Sequence, residues 1–293
     1  MGSIYLIDAQ TWAPGYSSVY LVAGSRGIAL VETGLSTPAE TILEGIRRHA
    51  IRPNDVTHIV LTHLHLDHAG SAGILSKEMP GASVFIHPMG ATHLADPSRL
   101  LASAGRALGD FGKTYGLDQV VGVESSRIRL TRDGDVLDLG DFRLRAIETP
   151  GHAPHHLCFH EESTNSVFVG DLVGNYFPET GSLSLTSSAP NFDLKLTIES
   201  IGKIKALKPD VLYFSHFGPA RPALPLLERS IEQLLTWERT ILEALRHGKT
   251  VDDIAKLIAA DLIAAGPSFP HWLHAETARV YAMGYLKYLN SLA

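Results

Sequence analysis

The sequence predicts an α/β fold, on two observations. Short β-rich runs alternate with stretches of helical spacing, and the segment Thr62–Gly70 follows directly on the apolar run Ile59-Val60-Leu61. Such a run reads as a buried strand, and the small residues after Asp67 read as a turn into a helix. That segment gathers His63, His65, Asp67 and His68 at the strand's end. Open α/β folds place their ligands outside the carboxyl edge of the sheet. Imidazole nitrogen and carboxylate oxygen suit a borderline divalent ion such as zinc. The four side chains diverge as the strand turns, so a split between two adjacent ions is the economical reading.

The totals narrow the class. A chain of 293 residues accommodates one large α/β domain, or a domain with an appendage. A net charge of −6 with no basic stripe argues against nucleic acid or an anionic membrane as partner, and leaves a small-molecule substrate. The single cysteine, Cys158, excludes an intramolecular disulfide framework, and its apolar context suggests a buried thiol. There is no long apolar run and no basic N-terminal region leading into a signal-peptide core, so a cytoplasmic protein is expected.

Ile4–Ile7, Val19–Val22 and Ile28–Val31 read as three strands of an antiparallel opening sheet, punctuated by Pro14-Gly15 and Gly24-Ser25. Pro38 to His49 has helical spacing, with Ser36 or Thr37 available as N-cap. The His-rich strand end follows, then a helix from Ser71 to Lys77 and a strand Val84–Ile86 ending at His87. His87 either edges the same face or serves as a hydrogen-bonding structural histidine. Residues 88–120 are helical, with Pro97, Gly105, Gly109 and Gly112 as breaks. Arg106 and Lys113 there either meet an anionic substrate or are solvated helix charges. Val136 to Ile147 reads as two strands turning at Gly140-Asp141. Three further elements carry ligand-type residues: Thr149-Pro150-Gly151-His152, a strand Ser166–Gly170 ending in Asp171, and a strand from Val211 ending in His216. The tail reads as helices over Leu226–Arg246, Asp252–Ala265 and Ala275–Leu289. His271, Trp272 and His274 form its one conspicuous cluster, either a loop anchor or a reach into the substrate groove.

The pattern His63-x-His65-x-Asp67-His68 after a hydrophobic strand is similar to the signature of the metallo-β-lactamase superfamily of metallohydrolases, its glyoxalase II-like branch above all. The Thr149–His152 element, the Gly170-Asp171 pair and His216 resemble that family's later ligand positions, in the family's order. The resemblance covers roughly residues 1–220. It implies a four-layer αββα sandwich over 1–220, with a helical insertion at about 88–120, and a C-terminal helical extension over 221–293. That extension would pack on the sandwich or on another subunit, making a homodimer.

Carried over position by position, the resemblance puts one metal on His63, His65 and His152 and a second on Asp67, His68 and His216, bridged by Asp171. It implies two divalent ions, zinc first with iron or manganese as substitutes. A metal-bridging hydroxide would attack an ester, thioester, lactone or phosphoester. Asp67 and Asp171 are the candidate catalytic carboxylates. The second class it implies is an iron-dependent redox enzyme of the persulfide dioxygenase type, which uses chiefly the first metal position. The superfamily usually has aspartate where Glu32 stands, so Glu32 is either a support behind the metals or a surface glutamate. His156 matches a second histidine common in relatives, and His155 stands where they usually have glycine. Residues near Tyr176, Phe177, His271 and Trp272 are expected to set substrate choice.

Overall fold

The computed structural model describes residues 2–188 and 190–292. Its first half is built from β1 (Ser3–Asp8), β2 (Ser18–Ala23), β3 (Ile28–Val31), α1 (Ala39–Arg48), β4 (His58–Val60), α2 (Leu66–Ala69), α3 (Ala72–Glu78), β5 (Ser83–Ile86), α4 (Pro88–Ala95), α5 (Ser98–Leu108) and β6 (Ile128–Leu130). The second half holds β7 (Val136–Asp138), β8 (Arg143–Glu148), β9 (Leu157–Glu161), β10 (Ser166–Gly170), β11 (Asn175–Phe177), β12 (Ser182–Ser184), α6 (Leu194–Ala206), β13 (Val211–Phe214) and β14 (Pro219–Ala220). Three helices close the chain: α7 (Ala223–Arg246), α8 (Val251–Ala265) and α9 (His271–Ser291).

Strands β1 to β6 form one six-stranded sheet in sequence order, antiparallel through β3 and parallel from β3 to β6. The second six-stranded sheet runs β14-β13-β10-β9-β8-β7, with β10 and β13 parallel. Alternate residues of the central strands enter different cores, which explains why these strands read as unbroken apolar runs. Val60 and Phe168 meet between the sheets, among Tyr20, Val31, Ala146 and Phe159. Ile59 and Leu61 point outward onto Ile42, Ile46 and Leu75 of α1 and α3. Val167 and Val169 point the other way, into a core shared with α6, α7, α8 and α9. The result is the αββα sandwich, with the tail helices joined to the outer core of the second sheet.

Several local expectations are corrected. Neither Ser36 nor Thr37 caps α1: no side chain does so, and Pro38 occupies that position. The Ser36 hydroxyl instead donates to the carbonyl of Gly116, 2.7 Å away, tying down the 88–120 segment. Gly105 is no break, since α5 runs through it, and tight 3₁₀ turns take over from Gly109. His87 accepts the Met89 N–H at the start of α4 and stands 3.6 Å from Glu148, the structural role. His271, Trp272 and His274 belong to the first turn of α9, because Pro270 opens that helix four residues earlier than the spacing suggests.

Cys158 is fully buried in β9, and burial pushes its thiol up to about 12. Native protein at about pH 8 is therefore expected to resist iodoacetamide and to take it up only after unfolding, read by mass spectrometry. Alkylation of the folded chain at the unfolded rate would refute this packing. Among the described residues, no helix is long and apolar enough to cross a membrane.

Candidate metal centre

The two sheets share an edge at which four chain segments turn. The first leaves β4 through Leu61 and Thr62, places His63 and His65 on extended backbone, and then winds into α2, so that Asp67 and His68 sit on a helical turn. The second sheet contributes His152 after β8, Asp171 directly after β10 and His216 after β13. Leu157 N–H donates to the Thr62 carbonyl (2.8 Å), which ties the two sheets together at this point.

Ligand-type atoms fall into two groups. His63, His65, His152 and Asp171 form one, and Asp67, His68 and His216 the other, with the atoms of each within 4.8 Å of one another. His152 Nε2 lies 2.9 Å from His65 Nδ1. Asp171 stands between the groups: Oδ2 is 3.4 Å from His152 Nε2, while Oδ1 is 3.3 Å from His68 Nε2 and 3.5 Å from His216 Nε2. Asp67 Oδ2 closes the second group at 3.7 Å from His216 Nε2 and 3.8 Å from His68 Nε2. All seven residues of the sequence reading are thus brought to one place.

Several of these side chains are held from behind. His152 and His216 direct Nδ1 at backbone carbonyls, Thr186 at 3.4 Å and Tyr16 at 2.8 Å, which leaves Nε2 free to ligate. His68 Nδ1 faces Glu32 Oε1 at 3.3 Å. That carboxylate is buried, not a surface group, and accepts from Thr62 Oγ1 (2.5 Å) and Ser215 Oγ (3.0 Å). Asp171 is fixed through its backbone: its N–H donates to His156 Nε2 (3.2 Å), and its carbonyl accepts from Thr186 Oγ1 (2.6 Å). The neighbouring Gly170 adopts φ +52, and a Cβ there would lie 2.5 Å from His156 Nε2, so only glycine lets that imidazole reach.

The donor set fits divalent ions. His63 Nε2, His68 Nε2 and Asp171 Oδ1 are buried without a hydrogen-bond partner among the described residues. Orphaned polar atoms at this density are costly unless a cation satisfies them. Burial and the neighbouring imidazoles hold His63 and His65 well below the usual histidine range, so both present neutral lone pairs. Burial works against a charge on His68 too, but Asp171, Asp67 and Glu32 outweigh it and raise that group. Asp171 shows the converse: burial alone would raise it, yet His68, His152 and His216 hold it well below the carboxylate range.

His155 lies just outside, its ring 6.3 Å from those of His63 and His65, and burial pushes its imidazole down to about 4. His274 is turned away, with Nε2 on the Gly266 carbonyl at 3.0 Å. Arg106 and Lys113 are exposed on the insertion. An aromatic wall borders the second group instead. Tyr16 stands 4.6 Å from the His216 ring and stacks on Phe269, with Trp12, Phe111 and Trp272 beyond. Phe177 reaches this wall through Phe217 at 4.5 Å, whereas Tyr176 stacks on Phe214 in the core. Nothing in the spacing of the sequence connects Tyr16 to His216, 200 residues later, and that contact was not foreseen.

An αββα sandwich carrying this histidine and aspartate cluster at its shared sheet edge defines a class, the metal-dependent hydrolytic enzymes. The model of the Metallo-beta-lactamase superfamily matches residues 12–216, and the chain belongs to that superfamily. A metallo-beta-lactamase fold-containing protein of Sulfurisphaera tokodaii is 28% identical over 261 residues, covering 85% of this chain and 90% of that one. A thioesterase of Emericella nidulans is 27% identical over 232 residues, covering 78% of this chain and 54% of its own length. A hydroxyacylglutathione hydrolase of Erythrobacter litoralis is 30% identical over 162 residues, 55% of this chain and 49% of that enzyme. The chain thus spans about half the length of these last two. The solved structure of a metallo-beta-lactamase family protein from Thermus thermophilus shares the fold with a TM-score of 0.73, at 24% identity, covering 99% of this chain and 93% of that one.

Proposed function

We propose that the protein is a dinuclear metal-dependent hydrolase acting on a carboxylic ester or thioester, with zinc in both positions. The observation that carries the reading is Asp171, whose two oxygens face opposite ligand groups. A carboxylate so placed serves two ions better than one. His63, His65 and His152 would hold the first ion, and Asp67, His68 and His216 the second. Two such ions, when bound, would supply a water ionised at neutral pH and positive charge for the oxyanion that develops on the substrate.

The chain's own residues supply the rest. Asp67 is the more exposed of the two carboxylates, with 17% of its side chain accessible against 7% for Asp171. Its Oδ2 faces His68 and His216, which leaves Oδ1 as the oxygen that would take the proton of the attacking water. Glu32 keeps His68 oriented, and the Tyr16 carbonyl does the same for His216. The aromatic wall favours an apolar acyl group over a highly charged one, and the thioesterase among the relatives supports that substrate class. The test is elemental analysis of protein purified without chelator, coupled to rates on thioester, lactone and phosphoester probes. About two equivalents of metal and turnover of the thioester are expected. A carefully reloaded protein that never exceeds one equivalent would sink the dinuclear assignment.

A further inference from the structure

Two histidines follow Pro150-Gly151 four residues apart, His152 and His156, and only the first joins the ligand groups. His156 is as deeply buried as His152, each 1% exposed, and its ring centroid lies 5.1 Å from that of His63. Both of its ring nitrogens are nevertheless taken. Nδ1 lies 2.8 Å from Thr149 Oγ1, and Nε2 accepts the Asp171 N–H at 3.2 Å. A backbone N–H can only donate, so Nε2 carries the lone pair and Nδ1 the proton, which it donates to Thr149 Oγ1. The opposite tautomer would set two hydrogens against each other. The Thr149 hydroxyl donates onward, with Cys158 Sγ at 3.4 Å, and the Thr149 N–H closes the loop on the His156 carbonyl at 3.0 Å. The ring is thus held in one tautomer and one orientation, and it is no spare ligand.

The N–H that it receives lies just past the end of the regular ladder. β10 pairs with β9 as far as Phe168, and its register against β13 shifts between Phe168 and Gly170. Such a bulge bends a strand and re-aims the side chains beyond it. Asp171 is the first residue after β10, and its N–H goes to an imidazole instead of a carbonyl of the sheet. Gly170, where a Cβ would also lie 2.7 Å from Thr62 Oγ1, lets His156 and the segment after β4 close on the same turn of backbone. A shift of that turn moves both Asp171 oxygens at once. One faces His152, and the other faces His68 and His216.

We infer that the Thr149–His156 pair is a positioning device for Asp171, fixing where its carboxylate stands between the two ligand groups. This rests on the two-metal reading above and deepens it, since it names residues outside both groups that set the spacing across them. A device of this kind acts on kcat through the centre and leaves KM alone.

The test uses the full chain loaded with cobalt(II), whose visible spectrum and electron paramagnetic resonance report the ligands and the coupling of a bridged pair. His156→Leu removes both ring nitrogens, His156→Gln keeps an acceptor at the reach of Nε2, and Thr149→Val keeps the shape and removes only the hydroxyl. His156→Leu and Thr149→Val are expected to change both spectra at full cobalt content. They should lower kcat for thiophenyl acetate by about 10–100-fold with KM unchanged. His156→Gln should recover the wild-type spectra and most of the rate. His160→Leu, on the same strand but bonded to Asn165 Oδ1 at 3.1 Å, is the control and should leave spectra and rate intact. Should His156→Leu not fold, the same comparison is made between Thr149→Val and His156→Gln. Wild-type spectra and kcat in the variants that lose the hydrogen bonds would overturn the inference. So would losses that only track cobalt content, or a His156→Gln protein as altered as the others. Wild-type protein that binds a single cobalt ion would refute the two-metal reading instead, and the visible spectrum of that ion in the variants would still decide the role of His156.

Discussion

Replacing Asp171 with asparagine is expected to cost more activity than any other single conservative change, well over 10²-fold in kcat. Removing an outer support around a metal ligand costs roughly 10–100-fold. Asp171 lies one step closer, with Oδ2 3.4 Å from His152 Nε2 and Oδ1 3.3 Å from His68 Nε2. Asparagine fills the same volume but removes the negative charge and aims an N–H donor at one of the two groups. Metal analysis after exhaustive dialysis should fall below two equivalents together with the rate. Two ions retained at undiminished affinity would mean that this carboxylate is not shared.

Loss of His216 should instead divide the centre. His216→Ala leaves His63, His65 and His152 in place and opens the second group, where His216 Nε2 stands 3.7 Å from Asp67 Oδ2. The expected product is a protein with one ion and a small fraction of the hydrolytic rate, measured by elemental analysis and initial rates on the same sample. An iron-dependent redox enzyme would respond differently: it would require iron and oxygen and would tolerate this change. Full esterase activity with a single bound ion would overturn the two-metal mechanism.

The residues that converge on the centre were legible because ligand chemistry is local. His63, His65, Asp67 and His68 lie within six positions, and Asp171 and His216 each end an apolar run that reads as a strand. His152 was reached through the resemblance of Thr149–His152 to the family's element. The supports were not legible, because they join distant segments. Ser215 and Glu32 are 183 residues apart, and nothing in either neighbourhood announces their hydrogen bond. Glu32 itself was ambiguous, since burial is decided by what the opposite sheet lays over it. Ser36 failed for a related reason. A serine ahead of a helix is a good cap by local rules, but the insertion carries the Gly116 carbonyl to within its reach and takes the hydroxyl. The start of α9 was misplaced because the polar cluster His271–His274 masks the helical spacing that Leu273, Ala278 and Tyr281 continue.

The division of the seven side chains between the sheets has a consequence for the chain as a polymer. Each ligand group draws on both halves of the molecule: His63 and His65 on the first with His152 and Asp171 on the second, and Asp67 and His68 on the first with His216 on the second. An ion in either position would therefore be a removable cross-link. The shorter loop it closes, from His65 to His152, spans 87 residues. A covalent bridge across a loop of that length restrains the unfolded chain by about 4–5 kcal/mol, comparable with the whole net stability of many domains. That cross-link would add to the apolar core already holding the sheets together at Tyr20, Val60 and Phe168. Removing the ions would release this clasp alone, leaving each hydrogen-bonded sheet and the core between them in place.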